Sequence, residues 1–172
     1  AEQTGRHDEA ADALVRLARE WPANVGRAQL EMVEDLNFAL RDSPDAQRTM
    51  LQRLFDVGFD PVDGRASDLW FELARLHLDA GDVPAARAVA ARIDGVSNAV
   101  AMRIDRRFDP LTEADPSLVD VRAQGQRALA AMRAKAEQRP NDLGLQYEIV
   151  DAYLMLGDHA AVDARVTAMT DT

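Results

Sequence analysis

The pair Gly81-Asp82 stands between two runs whose apolar residues recur at three and four, "LARLHLDA" before it and "VPAARAVAARID" after it. A glycine enters the left-handed region without steric cost and ends a helix, and an aspartate then accepts from the free amides that open the next. Two helices joined by so short a turn lie antiparallel and share one buried seam. The first helix carries the bulk, in Trp70, Leu73 and Leu76. The second carries Ala85, Ala86, Ala88, Ala90 and Ala91, so the two can approach closely. The expectation is a positive φ at Gly81, with Trp70, Leu73 and Leu76 buried against Ala86 and Ala90.

The same phrase returns as "YEIVDAYLMLGDHAAVDARV", with Gly157-Asp158 at the turn, and an incomplete copy opens the chain as "TGRHDEAADALVRLAREWPAN". The three glycines, Gly5, Gly81 and Gly157, are spaced by 76 residues. Self-similarity over tens of residues is a mark of repeat architectures. Helical spacing holds almost throughout, and no strand-like alternation of useful length occurs. Nine helices are expected, over about 6–20, 24–41, 45–58, 66–80, 83–93, 97–107, 117–138, 142–156 and 159–169. Trp21-Pro22, Ser43-Pro44, Asp60-Pro61, Asp109-Pro110 and Arg139-Pro140 punctuate them, because proline lacks the amide donor and restricts its predecessor. Ser67, Asp82 and Asp158 are placed to cap helix starts.

Trp70, Leu73, Ala74, Gly81-Asp82 and Ala86 resemble the tetratricopeptide repeat, a 34-residue helix–turn–helix. His77 stands where that repeat usually has tyrosine, and Ala90 replaces its later aromatic. Ile149, Val150, Tyr153, Gly157 and Asp158 fit a second copy. Ala10, Leu14 and Pro22 fit the latter half of a third, whose first helix is missing. Residues 24–64 and 95–140 are helical but off-pattern. The resemblance implies an all-α, right-handed superhelical array of antiparallel helix hairpins, a solenoid. Residues 1–172 would form one such domain within a longer chain. It also implies a binding scaffold, since the family as a whole consists of them.

Composition limits the partners. Thirty acidic against twenty basic residues leave a net charge of −10, which repels nucleic-acid phosphates. There is no cysteine, so disulfides, thiol catalysis and thiolate zinc sites are excluded. No apolar run reaches the roughly 18 residues of a membrane span. Arginine almost replaces lysine, Lys135 being the one exception, and alanine is abundant, a bias resembling that of a GC-rich bacterial genome. The opening "AEQTGRHDEA" carries no signal segment and leaves both the cytoplasm and an exported compartment open.

Catalytic patterns are absent. The sequence has no HExxH, G-x-S-x-G, Walker or G-x-G-x-x-G phrase, and His7, His77 and His159 have no ligand spacing. No cofactor is expected. Asp56, Asp60 and Asp63 cluster near Gly64 in "DVGFDPVDG", but a calcium loop needs other spacing and a terminal glutamate, so a capped helix end is the better reading. "FDPLTEADPS" reads as an ordered connection with Phe108 turned inwards. Arg103, Arg106 and Arg107 form a basic cluster that suits either internal ion pairs or an acidic peptide.

In tetratricopeptide arrays the first helix of each hairpin lines a concave groove. The resemblance places Phe71, Arg75, Leu78 and Asp79 there in one repeat, and Tyr147, Asp151, Leu154 and Met155 in the last. Arg27, Glu31, Glu34 and Asp35 of the off-pattern helix face the same way on this reading. The implied activity is non-catalytic binding of a protein or peptide, basic in charge, in an acidic groove. The alternatives are self-association as a homo-oligomer or a structural role, followed by a small-molecule receptor or enzyme. Phe71 and Tyr147 would supply apolar contact, and Arg75 would pair with a ligand carboxylate.

Overall fold

The computed structural model describes the backbone of residues 2–20, 27–59 and 66–170, and the side chains of 9–20, 28–59 and 67–170. The described residues form ten α-helices and no strand: α1 (Glu2–Glu20), α2 (Arg27–Ala39), α3 (Pro44–Asp56), α4 (Ala66–Asp79), α5 (Val83–Ala90), α6 (Val96–Ile104), α7 (Asp109–Thr112), α8 (Val121–Gln138), α9 (Leu143–Leu156) and α10 (His159–Thr170). Short 3-10 turns cover Arg106–Phe108 and Pro116–Val119. The chain divides into two compact units, residues 1–93 and 94–172.

In the first unit α4 and α5 pack along their lengths as a hairpin, α3 packs on α4, and α1 lies against α2 and α3. Gly81 has φ +77°, as its place in the turn requires. Its amide donates to the Leu78 carbonyl at 2.9 Å and that of Asp82 to His77 at 2.8 Å, the paired bonds of a left-handed helix closure. Asp82 then accepts from the Ala85 amide at 3.1 Å and caps α5. Leu73, Leu76, Trp70, Ala86 and Ala90 are all buried. The Trp70 ring meets Phe55 of α3 edge-on, with centroids 5.2 Å apart. Arg92, just past α5, lies over both rings. The bulk of α4 therefore serves its seam with α3 as well as the hairpin.

Gly58 closes α3 in the same way. It has φ +71°, and the Gly58 and Phe59 amides donate to Phe55 and Leu54, each at 3.0 Å. Phe59 and Leu54 are buried, the apolar contact that accompanies this closure. A capped end thus accounts for Asp56 and Gly58, whereas Asp60, Asp63 and Gly64 lie outside the described residues. Gly5 behaves differently from Gly81 and Gly157. It lies inside α1, so the opening segment is one continuous helix and not a hairpin turn. Ser67, expected as a helix cap, lies inside α4, which has already begun at Ala66.

In the second unit α6 packs on α8, α8 on α9, and α9 on α10. Leu129 and Ala136 of α8 meet Leu145 and Ile149 of α9 in an apolar cluster. Residues 105–119 form the ordered connection expected from sequence, with Phe108 turned inwards. Asp105 and Asp115 cap successive 3-10 turns, and Phe108, Leu111 and Leu118 are buried. Gln124 of α8 is wholly buried and donates to the Leu118 carbonyl at 3.1 Å, holding that connection down. Beside it, a Cβ on Gly125 would stand 3.0 Å from Leu156 and 3.2 Å from Val96. The glycine admits α9 and α6 against the second turn of α8.

Candidate functional site

The apolar face of α9 has no cover among the described residues. Leu145, Gln146 and Ile149 turn into the unit, and α10 lies along another flank. On the opposite side Leu143 is 60% exposed, Tyr147 62%, Leu154 47% and Met155 62%. Steps of four, seven and one place these residues, with exposed Asp151, on one side of a helix. The α9 helix starts at Asp142, which accepts from the Leu145 amide, and ends at Gly157, with φ +74°. Asp158 caps α10 through the Ala161 amide. Both ends are fixed by the same chemistry as the α4–α5 hairpin, so the stripe is carried on a held helix.

Of the groove residues expected from sequence, Tyr147, Asp151 and Met155 come together here. Leu143, missed from sequence, extends them by one turn towards the start of α9. In the first unit Phe71, Arg75 and Leu78 are half-buried on α4, and Asp79 is exposed at its end. Arg75 is ion-paired with Glu72, so its guanidinium is engaged within its own helix. On α2, Glu31, Glu34 and Asp35 are exposed opposite the buried Leu30, Val33 and Leu36. The side chain of Arg27 lies outside those described. Phe38 shares the outer face of α2, 65% exposed, with the Arg41 guanidinium 4.1 Å from its ring centre. Nothing in its sequence setting sets it apart from a core residue.

Other candidates resolve locally. Arg107 is clamped to Asp105, with Nε 2.8 Å from Oδ1, and Arg103 donates to the Val119 carbonyl. Two of the three basic-cluster side chains thus serve internal contacts. His77 is buried on α4 and donates from Nε2 to Oε1 of Gln52 on α3 at 2.8 Å. Burial holds its pKa below the usual histidine value. Asp82 opposes that shift and Arg48 adds to it. Among the described residues no group of three or more His, Asp or Glu side chains is placed to hold a metal ion, and no helix is long and apolar enough to cross a membrane.

No family model, curated protein or solved structure matches the chain.

Proposed function

We propose that this chain is a non-catalytic protein-interaction module of the helical-repeat type, resembling tetratricopeptide arrays, and that α9 presents its binding face. The supporting observation is the exposed stripe Leu143–Tyr147–Leu154–Met155 with Asp151 set in it. Large aromatic and methionine side chains on a capped helix suit a peptide or partner helix. They bury much area at low entropic cost and adapt to the ligand surface. Asp151 gives that partner a sign, favouring a lysine or arginine among its apolar anchors. The acidic α2 face and Asp79 act in the same direction on the first unit, as a field that draws basic ligands.

The test is fluorescence polarisation with labelled amphipathic helical peptides, one basic and one acidic, at two salt concentrations. The basic peptide should bind more tightly, and Tyr147→Ala with Leu154→Asp should weaken it by more than tenfold, as loss of a central anchor does. Both positions are exposed, so the variant should fold. Preference for the acidic peptide, or full binding by the variant, would refute the reading. Self-association is the competing use of the same stripe. It would appear as a concentration-dependent dimer in sedimentation that Leu154→Asp abolishes.

A further inference from the structure

A cleft of about 580 Å3 opens within the second unit between the end of α8, the turn at 139–142, the start of α9 and the last turns of α10. Among the described residues Arg133 and Arg165 line it against a single acid, Glu137, so the described lining is net positive in a chain of charge −10. Gln146, a buried amide, is fixed at both ends. Its Nε2 donates to the Pro140 carbonyl at 3.1 Å, and its Oε1 accepts from Nη2 of Arg165. These bonds orient the Arg165 guanidinium. Its Nε, however, is shut off from water and has no hydrogen-bond partner. A guanidinium whose buried Nε finds no acceptor is incompletely satisfied, which favours an anion beside its remaining donors. Ala136, Leu143 and Met169 supply apolar wall beside it.

We propose that this cleft binds a small organic acid, with its carboxylate held between Arg165 and Arg133 and a short apolar body laid over Leu143, Ala136 and Met169. A carboxylate can accept from the Arg165 guanidinium donors that Gln146 leaves free and from Arg133. The volume lies within the range of about 300–1,000 Å3 usual for small-molecule sites. A carboxylate with an apolar body fits better than inorganic phosphate, because Ala136, Leu143 and Met169 offer an apolar wall that phosphate cannot use. The inference needs no protein partner, and it shares only Leu143 with the α9 stripe.

The experiment is titration of the full chain with hexanoate, read by the arginine Nε–Hε resonances in 15N NMR. Hexanamide and inorganic phosphate serve as parallel probes. Hexanoate should shift the Arg165 resonance and bind at least about tenfold more tightly than either control, the amide lacking the charge-assisted pair and phosphate the apolar body. Arg165→Gln should remove that preference. Arg165 also supports Gln146, so Arg133→Gln, at an exposed position, is the second variant. It should weaken hexanoate several-fold while leaving the melting curve unchanged. The proposal fails if hexanamide or phosphate binds as well as hexanoate, if the Arg165 resonance stays fixed, or if Arg133→Gln leaves the hexanoate affinity intact.

Discussion

The α4–α5 and α9–α10 hairpins share one turn chemistry and differ in what covers them. Gly81 and Gly157 have φ of +77° and +74°. The next amides, of Asp82 and Asp158, return to His77 and Tyr153 at 2.8 and 2.9 Å. Each aspartate then caps the following helix. Yet α5 buries Ala86, Val89 and Ala90, while α10 buries no residue at all. The α4 helix is enclosed by α3 and α5, whereas α9 leaves a run of large apolar groups in the open. A glycine–aspartate turn therefore fixes how two helices meet. It says nothing of what lies over them. The uncovered hairpin is the one whose exposed groups are free to bind.

Core truncation should give the largest contrast. Leu73→Ala removes a fully buried side chain and should cost about 2–5 kcal/mol in a urea unfolding series. The change Leu154→Ala, at a half-exposed position of the second hairpin, should stay within about 0.5 kcal/mol. Comparable losses at the two sites would mean that α9 is covered in solution, most simply by a second copy of the chain, and the contrast between the hairpins would collapse.

Next comes the shared turn. A Cβ at Gly81 or at Gly157 meets nothing within 4 Å, so substitution there tests backbone conformation alone. Valine held in the left-handed region costs about 1–2 kcal/mol. The two substitutions, Gly81→Val and Gly157→Val, should therefore destabilise their hairpins alike, as read by amide exchange of the flanking helices. A silent Gly157→Val, beside a costly Gly81→Val, would show that the second turn is not closed in the same way.

These closures were legible in the sequence because their chemistry is local. A glycine, an aspartate and a change of helical phase suffice, and the boundaries of α4, α9 and α10 follow. Gly5 shows the limit: a spacing of 76 residues matched the other two, but it lies inside α1 and closes no turn. Gly58 shows the converse, since it makes the same closure without a following aspartate. The 105–119 connection was legible as ordered with Phe108 inwards, but its individual turns were not, because turns of three or four residues have no periodicity to read. Gly125 and Gln124 have roles set by Leu156, Val96 and Leu118, partners that no local pattern names. The α9 stripe was half visible. The tetratricopeptide resemblance placed Tyr147, Asp151, Leu154 and Met155 on it, but Leu143 was missed, because whether a leucine at a helix start faces protein or solvent depends on what packs over it.

The smallest effect distinguishes the hairpins by pH. His77 and Tyr153 hold equivalent places, each giving its carbonyl to the amide after the turn glycine. Only His77 titrates near neutrality. Burial lowers its pKa in the folded protein, with Arg48 adding to the shift and Asp82 opposing it. The unfolded chain therefore takes up a proton near pH 6.5 that the folded chain still refuses. Stability should be flat above that pH. It should fall as pH drops from about 6.5 towards the lowered folded value, where the unfolded state binds more protons. Because carboxylates add their own slope below about pH 5.5, the informative quantity is the difference between the wild type and His77→Gln. That amide has no charge to gain and can still bond Gln52. Urea midpoints at pH 7.5 and 5.5 should separate further for wild type than for the variant, with the loss strongest in exchange from α3 and α4. Equal slopes would mean that protonated His77 is accommodated, either by Asp82 closing on it from 3.9 Å or by release of the ring from Gln52. Repeating the pair in an Asp82→Ala background separates those two, since only the first route needs the carboxylate.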